Sequence, residues 1–274
     1  MRIKTIIKLS LVLLTIMGFT PAAAQTNSAE RPTLRVLSFN ILQGGGDASN
    51  VGFPNRDFGG SRYDELAAVI RLSQTDVAGV QEGDGSGRLL AALGEGWKRD
   101  GSIYSKYDLK SVRKGGWMTI SRLQLPSGEI IVVANTHWRP SDYGPFQVQD
   151  RLRTNGVPDD LAKFEQQILK SSDKTRGDRG YQQTLEAIRP VLAAKETIVL
   201  TGDFNEPSHL DWTARAARDG MDRWVESPTG VPLRFPIRWQ GSRLLAGVGL
   251  RDAYRTAVPD EVRHPGNTWT PPYP

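Results

Sequence analysis

The chain has 274 residues, 38% of them hydrophobic and 24% charged, with no cysteine. That length buries enough surface to fold without cross-links, and the missing cysteines exclude disulfides, thiolate nucleophiles and thiolate zinc sites. The formal charge is +5, yet residues 1–24 hold three cations and no acids; without them the balance is 32 against 30, or +2, which gives little support to broad capture of polyanions.

Arg2, Lys4 and Lys8, the apolar run Leu9 to Phe19 and the small residues Ala22-Ala23-Ala24 form the pattern of a secretory signal peptide. It predicts cleavage near Ala24 and an exported, periplasmic or secreted protein; a retained N-terminal anchor is the alternative. The apolar run is short for a membrane span and no later stretch approaches that length, so no stable membrane insertion is expected. Residues 25–32 read as a polar linker, and residues 33–274 as one domain without internal repeats.

Leu34 to Phe39 is the first strand-like run, and it ends at Asn40. A loop from Gln43 to Gly60 follows, with Gly44-Gly45-Gly46 near its start. It lacks the lysine and spacing of a P-loop, so a substrate-side loop or a plain connection is expected. Tyr63 to Leu72 has helical spacing, with Leu66, Val69, Ile70 and Leu72 as its stripe. Asp76 to Gln81 is a short apolar run ending at Glu82, and Ser86 to Leu93 a short helix. Strands fill Trp97 to His137, with a hairpin at Pro126-Ser127-Gly128, and the run Ile130 to Thr136 ends at His137.

Residues 139–180 are hydrophilic, with a helix over Asp159 to Leu169 presenting Leu161, Phe164 and Ile168. Gln182 to Leu192 is a stronger amphipathic helix carrying Leu185, Ile188 and Leu192, which Pro190 is expected to kink or end. The octet Ile198-Val199-Leu200-Thr201-Gly202-Asp203-Phe204-Asn205 comes next. Its apolar start predicts a strand buried on both faces. If the extended conformation persists, Asp203 and Asn205 share a face. The region after Pro207, rich in Trp and Pro, yields no clear elements. His209 reads as a helix cap or surface residue, and His264 as structural.

Four runs thus each deliver a polar, ligand-capable residue at the C-terminal end: Asn40, Glu82, His137, and Asp203 with Asn205. Taken singly they have plain readings: an Asx turn, a solvated acid, a strand-capping histidine and loop hydrogen-bonders. As an ordered set they point to chemistry at one end of a sheet.

The segments Ser38-Phe39-Asn40-Ile41, Val80-Gln81-Glu82, Asn135-Thr136-His137-Trp138 and Thr201-Gly202-Asp203-Phe204-Asn205 resemble, in this order, the endonuclease/exonuclease/phosphatase superfamily. Ile103-Tyr104-Ser105-Lys106-Tyr107 resembles its S-(K/R)-Y element, and Gly249-Leu250-Arg251-Asp252-Ala253-Tyr254 a segment near its end. The resemblance implies the deoxyribonuclease-I-like fold, an α/β four-layer sandwich of two packed mixed sheets flanked by helices. It also implies a divalent-metal-dependent phosphoesterase using Mg²⁺ or Mn²⁺ and metal-assisted water attack. Asn40 and Glu82 match the metal site, Asp203 the water-activating aspartate, and His137 and Asn205 further catalytic groups. Asn205 also matches a phosphate contact, and Arg139, beside Trp138, either lines the cleft or packs against the sheet rim.

The family pattern closes with a Ser-Asp-His strand that nothing here matches, so the last strand is expected to be absent. The expected reading is a C-terminally incomplete domain. The alternative is a catalytically impaired phosphate-ligand-binding protein of the same fold. The partner implied is a phosphate-ester substrate, whether nucleic acid, phospholipid headgroup or sugar phosphate, and no obligate protein partner is evident. A serine hydrolase is the third reading, disfavoured because no Gly-x-Ser-x-Gly elbow is present.

Overall fold

The computed structural model describes residues 33–46, 60–83, 85–115, 117–172, 179–219 and 235–268, with a two-residue strand β1 (Leu14–Thr15). The rest of the expected export signal, the linker, positions 47–59 of the glycine-containing loop and residues 269–274 lie outside the described residues. The chain forms two compact units. One comprises Leu13–Arg139 and Gly177–Phe204, the other Met1–Val12, Pro140–Arg176 and Asn205–Pro274.

In the first unit, β2 (Arg35–Gly44) and β3 (Val77–Gly83) run parallel and are joined through α1 (Tyr63–Leu72). After α2 (Arg88–Leu93), the strands β4 (Lys98–Asp100) and β5 (Ile103–Ser105) complete a mixed sheet of order β1-β2-β3-β5-β4. The second sheet is β6 (Asp108–Lys114), β7 (Met118–Gln124), β8 (Ile130–His137) and β9 (Ile198–Asp203), in that order. It is antiparallel until its last pair, β8 and β9, which run parallel. The crossover between them carries α5 (Tyr181–Ala193). The Pro126-Ser127-Gly128 hairpin between β7 and β8 is closed by Leu125 N–H donating to the Glu129 carbonyl at 2.9 Å.

The sheets pack face to face, with Leu34, Val36, Val77, Ile103, Leu123, Ile131, Val133 and Val199 between them. Helices α1 and α2 cover the outer face of the first sheet through Leu37, Ala78, Val80, Leu66 and Ile70. This is the expected sandwich of two mixed sheets flanked by helices. Strand alternation builds it, because successive side chains go to opposite faces.

Several boundaries and faces differ from the sequence reading. On α1 the buried residues are Tyr63, Leu66, Ala67 and Ile70, whereas Leu72 is 83% exposed. Two residues past Ile70 is nearly the opposite side of a 3.6-residue turn. On α5 the buried side is Tyr181, Thr184, Ile188 and Val191, and the helix continues through Pro190 to Ala193. Strand β9 alternates between buried and half-buried residues rather than being buried on both faces. Among the described residues of the glycine loop, Gly45 N–H bonds the Leu42 carbonyl and Gly46 N–H the Gln43 carbonyl.

The second unit is helical among its described residues. It holds α3 (Gly144–Asn155), α4 (Leu161–Ser171), α6 (Ala214–Asp219), α7 (Gln240–Gly247) and α8 (Ala253–Ala257). Its core joins Val148, Leu152, Phe164 and Ile168 to Phe235, Ile237 and Trp239. Leu161, expected on the buried stripe of α4, is exposed. Asp160 caps that helix, accepting from Lys163 N–H at 2.9 Å. Gly144 is needed where it stands, because a Cβ there would meet the Trp239 ring at 2.4 Å. Glu165, a buried carboxylate, accepts from three donors of Arg238: backbone N–H at 2.7 Å, Nε at 3.0 and 3.2 Å to its two oxygens, and Nη2 at 2.6 Å.

Candidate active site

Both sheets of the first unit contribute one parallel strand pair, and both pairs end at the same place. In parallel β2 and β3, Val36 pairs with Val77, Ser38 with Gly79, and Asn40 with Gln81. In parallel β8 and β9, Val133 pairs with Val199, Asn135 with Thr201, and His137 with Asp203. The facing rows therefore change from apolar to polar to ligand-capable toward the C-terminal strand ends. Such ends are where α/β sheets assemble chemistry.

Asn40 is the junction. Its Nδ2 donates to Glu82 Oε1 and to Asp203 Oδ2, each at 2.9 Å, so one amide group spans both sheets. The two carboxylate oxygens are therefore no farther apart than the sum of those two bonds. Asn40 Oδ1 accepts from Leu42 N–H at 2.9 Å, and Glu82 Oε2 accepts from Gln43 N–H at 2.9 Å. His137 Nε2 lies 3.9 Å from Asp203 Oδ2, within ion-pair range but beyond a hydrogen bond. All four side chains are half-buried.

Glu82 reaches this point because the backbone breaks the pleat. Alternation sends Val77, Gly79 and Gln81 toward the other sheet and Ala78 and Val80 toward the helices. Continued, it would send Glu82 to the helix side as well. Instead Glu82 has φ +59°, a left-handed conformation. That costs a non-glycine residue roughly 1–2 kcal/mol, while each hydrogen bond to a charged group contributes about 1.5–3 kcal/mol. The bonds from Asn40 and Gln43 outweigh the strain.

The turn holding Gln43 in place has its own clamp. Leu42, Gln43, Gly44 and Gly45 all have positive φ, between 49° and 78°. Arg62 donates through Nη2 to the Ile41, Leu42 and Gly46 carbonyls at 3.2, 2.7 and 3.2 Å. Its backbone N–H bonds the Gly45 carbonyl at 2.9 Å. Burial pulls the Arg62 pKa below its usual value, with Glu65, Tyr63 and Glu82 acting in the opposite direction. Arg62 belongs to no recognisable motif, and the residues it serves are some 16 to 21 positions away in sequence; sequence reading had no signal for it.

Of the residues singled out from sequence, Asn40, Glu82, His137 and Asp203 come together. Asn205 belongs to the second compact unit and has φ +45°, in the left-handed region. The extended conformation stops at Asp203, so the period-two argument that paired Asn205 with Asp203 does not apply. Arg139 is half-buried, its N–H donates to the Arg179 carbonyl at 3.3 Å, and its Nε and Nη2 atoms are shielded from solvent. Trp138 packs rather than lining a cleft. It is buried, meets Phe204 and Tyr181 edge-on at 4.9 and 6.0 Å, and donates through Nε1 to Thr184 at 2.9 Å. His209 sits against Ser242, with Nδ1 2.9 Å from its hydroxyl, and burial, then the nearby Arg243, lowers its pKa.

The donor set fits a hard divalent cation. Among the described residues no group of three or more His, Cys, Asp and Glu side chains forms a metal cage. Mg²⁺ needs none, since it is usually held by one or two carboxylates and keeps several waters. Glu82 and Asp203 leave a place between them where positive charge is favoured, and the Asn40 amide protons supply it here. Asn40 presents its nitrogen to both carboxylates. Among the described residues no helix is long and apolar enough to cross a membrane.

A family described as the Endonuclease/Exonuclease/phosphatase family matches residues 37–273. A Caenorhabditis elegans protein called "Uncharacterized protein F14F9.5" is 25% identical over 253 residues, 86% of this chain and 70% of that one. Among solved structures, truncated Caenorhabditis elegans TDP2 is 17% identical with a TM-score of 0.35. The match covers 63% of this chain and 62% of that one. An endonuclease/exonuclease/phosphatase from Beutenbergia cavernae is 18% identical with a TM-score of 0.39, over 81% of this chain and 55% of that one.

Proposed function

This chain belongs to the endonuclease/exonuclease/phosphatase family, whose members are metal-dependent hydrolases of phosphoester bonds, and we propose that it hydrolyses a phosphodiester or phosphomonoester at the Asn40–Glu82–His137–Asp203 cluster. One observation carries the reading: a single amide, Asn40, ties a carboxylate from each sheet to one point at the strand ends. A phosphate ester resists water because negative oxygens repel the nucleophile, so a site must bring positive charge and a base together.

Glu82 would hold Mg²⁺ or Mn²⁺, and the ion supplies charge neutralisation at the phosphoryl oxygens. Asp203 would orient and deprotonate the attacking water, its carboxylate fixed by the Asn40 donor. His137, 3.9 Å away, would stabilise the Asp203 charge or donate to a phosphoryl oxygen. Asn40, beside Glu82 at the proposed metal position, keeps the two carboxylates in register.

The pattern in residues 1–24 supports export of the mature protein, which N-terminal sequencing of the secreted or periplasmic product tests. Activity is tested with bis(p-nitrophenyl) phosphate and p-nitrophenyl phosphate, in Mg²⁺ or Mn²⁺ and in EDTA. Metal-dependent hydrolysis that EDTA abolishes is expected, and parallel assays on DNA, RNA, inositol phosphates and sphingomyelin identify the substrate class. Absence of turnover on all of them, with metal bound, would overturn the reading in favour of a phosphate-ligand-binding protein.

A further inference from the structure

Directly behind the site row lies a second row of polar residues. Ser38, Gly79, Asn135 and Thr201 each stand two positions before Asn40, Gln81, His137 and Asp203 on their own strands, and they pair across the two parallel ladders. Asn135, Thr201 and Gln81 are buried. Asn135 is their hub. Its Oδ1 accepts from Gln81 Nε2 at 2.6 Å and from the Thr201 hydroxyl at 2.9 Å. Its Nδ2 donates to the Val80 carbonyl and to the Ser102 hydroxyl, both at 2.9 Å. A carboxamide offers two donors and two acceptor positions, and all four are in use.

These bonds cross from one sheet to the other. Gln81, Val80 and Ser102 belong to the first sheet or its β4–β5 turn, whereas Asn135 and Thr201 belong to the second. Gly79 is the cradle: a Cβ there would stand 2.0 Å from the Thr201 hydroxyl oxygen and 2.5 Å from Asn135 Oδ1. A further bridge joins Ser38 to Gly202, whose N–H donates to the Ser38 hydroxyl at 3.0 Å while that hydroxyl faces the Gly202 carbonyl at 3.2 Å. An apolar row would pack the sheets as firmly but without directional bonds, and their separation would follow side-chain volume alone.

We propose that Asn135 is a positioning residue of the site: its amide locks the sheets at the separation that lets Asn40 bridge Glu82 and Asp203. The inference rests on the phosphoesterase reading for its catalytic consequence, but its structural core does not. Groups behind metal ligands change metal affinity or activity by about 10–100-fold when removed, and a buried, fully satisfied network behaves as a unit.

The test compares Thr201→Val and Asn135→Leu with Ile188→Val, a core change on α5 away from the network, at matched melting temperature. The first readout is the Asn40 side-chain amide signal in ¹⁵N NMR, with its solvent-exchange rate, which needs neither metal nor turnover. Thr201→Val is expected to shift that signal and speed its exchange, whereas Ile188→Val leaves it in place. The second readout is Mn²⁺ affinity and kcat on bis(p-nitrophenyl) phosphate, both expected to fall about 10-fold or more with KM within threefold. Should Asn135→Leu fail to fold, Thr201→Val carries the test, since it removes one hydroxyl at constant shape. An unmoved Asn40 signal in Thr201→Val overturns the proposal. A wild-type protein without hydrolysis would count against the phosphoesterase reading alone.

Discussion

Asn40 and Asp203 lie 163 residues apart in sequence and 2.9 Å apart in the structure, joined by a hydrogen bond between strands of different sheets. The same amide nitrogen also bonds Glu82, so neutralising either acid alters what the other faces. This coupling makes the consequences of single substitutions specific enough to measure.

Glu82→Gln removes the charge at nearly constant shape. Its new amide would also turn a donor toward either Asn40 Nδ2 or Gln43 N–H, both of which now donate to Glu82. We expect Mg²⁺ and Mn²⁺ binding to disappear from calorimetry and kcat to fall by about 10²–10³-fold. Unchanged metal affinity in this variant would remove Glu82 from the metal site.

Asp203→Asn keeps an acceptor for Asn40 but removes a base. The expected loss is about 10²–10⁴-fold in kcat, the usual range for general acid–base catalysis, with KM little changed. Steady-state kinetics on bis(p-nitrophenyl) phosphate measures both. A loss confined to KM would instead make Asp203 a binding residue.

Gly79→Ala tests the close approach of the sheets. The added methyl would meet Thr201 and Asn135 at distances no carbon tolerates, so one of them must leave its bond. Overpacking of this kind costs about 1–3 kcal/mol. A lower urea midpoint with an unchanged slope is expected; wild-type stability would show that the sheets separate freely there.

The acid limb of stability should depend on Glu165. The Arg238 guanidinium, bonded to it, holds its pKa below the ordinary 4.5 despite the opposing effect of burial. A carboxylate with a depressed folded pKa contributes stability that is complete above the unfolded pKa and lost as pH falls through the folded one, because the unfolded state binds the extra proton. Glu165→Gln should therefore lower stability near neutrality and flatten its decline below pH 4.5. Fluorescence of Trp212 and Trp239, stacked edge-on in the same unit at 5.3 Å, follows the unfolding. An equally steep acid limb in the variant would assign that limb to other carboxylates.

The runs that form β2, β3, β8 and β9, and their polar endings, were determined by the sequence alone. Apolar runs broken at Asn40, Glu82, His137 and Asp203 needed no tertiary information, because an apolar run that stops at a polar residue is a local feature of the chain. Helix α1 was legible to its ends and in Leu66 and Ile70 of its buried face, but not in Leu72, which is exposed. Helix α3 escaped notice because only Val148 and Leu152 anchor it in the core, too few for a stripe. The short helices after Pro207 escaped for the same reason. Tertiary structure decided which residues meet. The left-handed turn at Glu82 reversed the direction that alternation assigned to it, and the end of β9 removed the rule pairing Asn205 with Asp203. The Arg62 clamp and the Asn135 hub join residues tens of positions apart, so neither leaves a periodic trace. Sequence specifies which groups each strand end carries; the packing of two sheets, set by bonds between distant residues, specifies their distances.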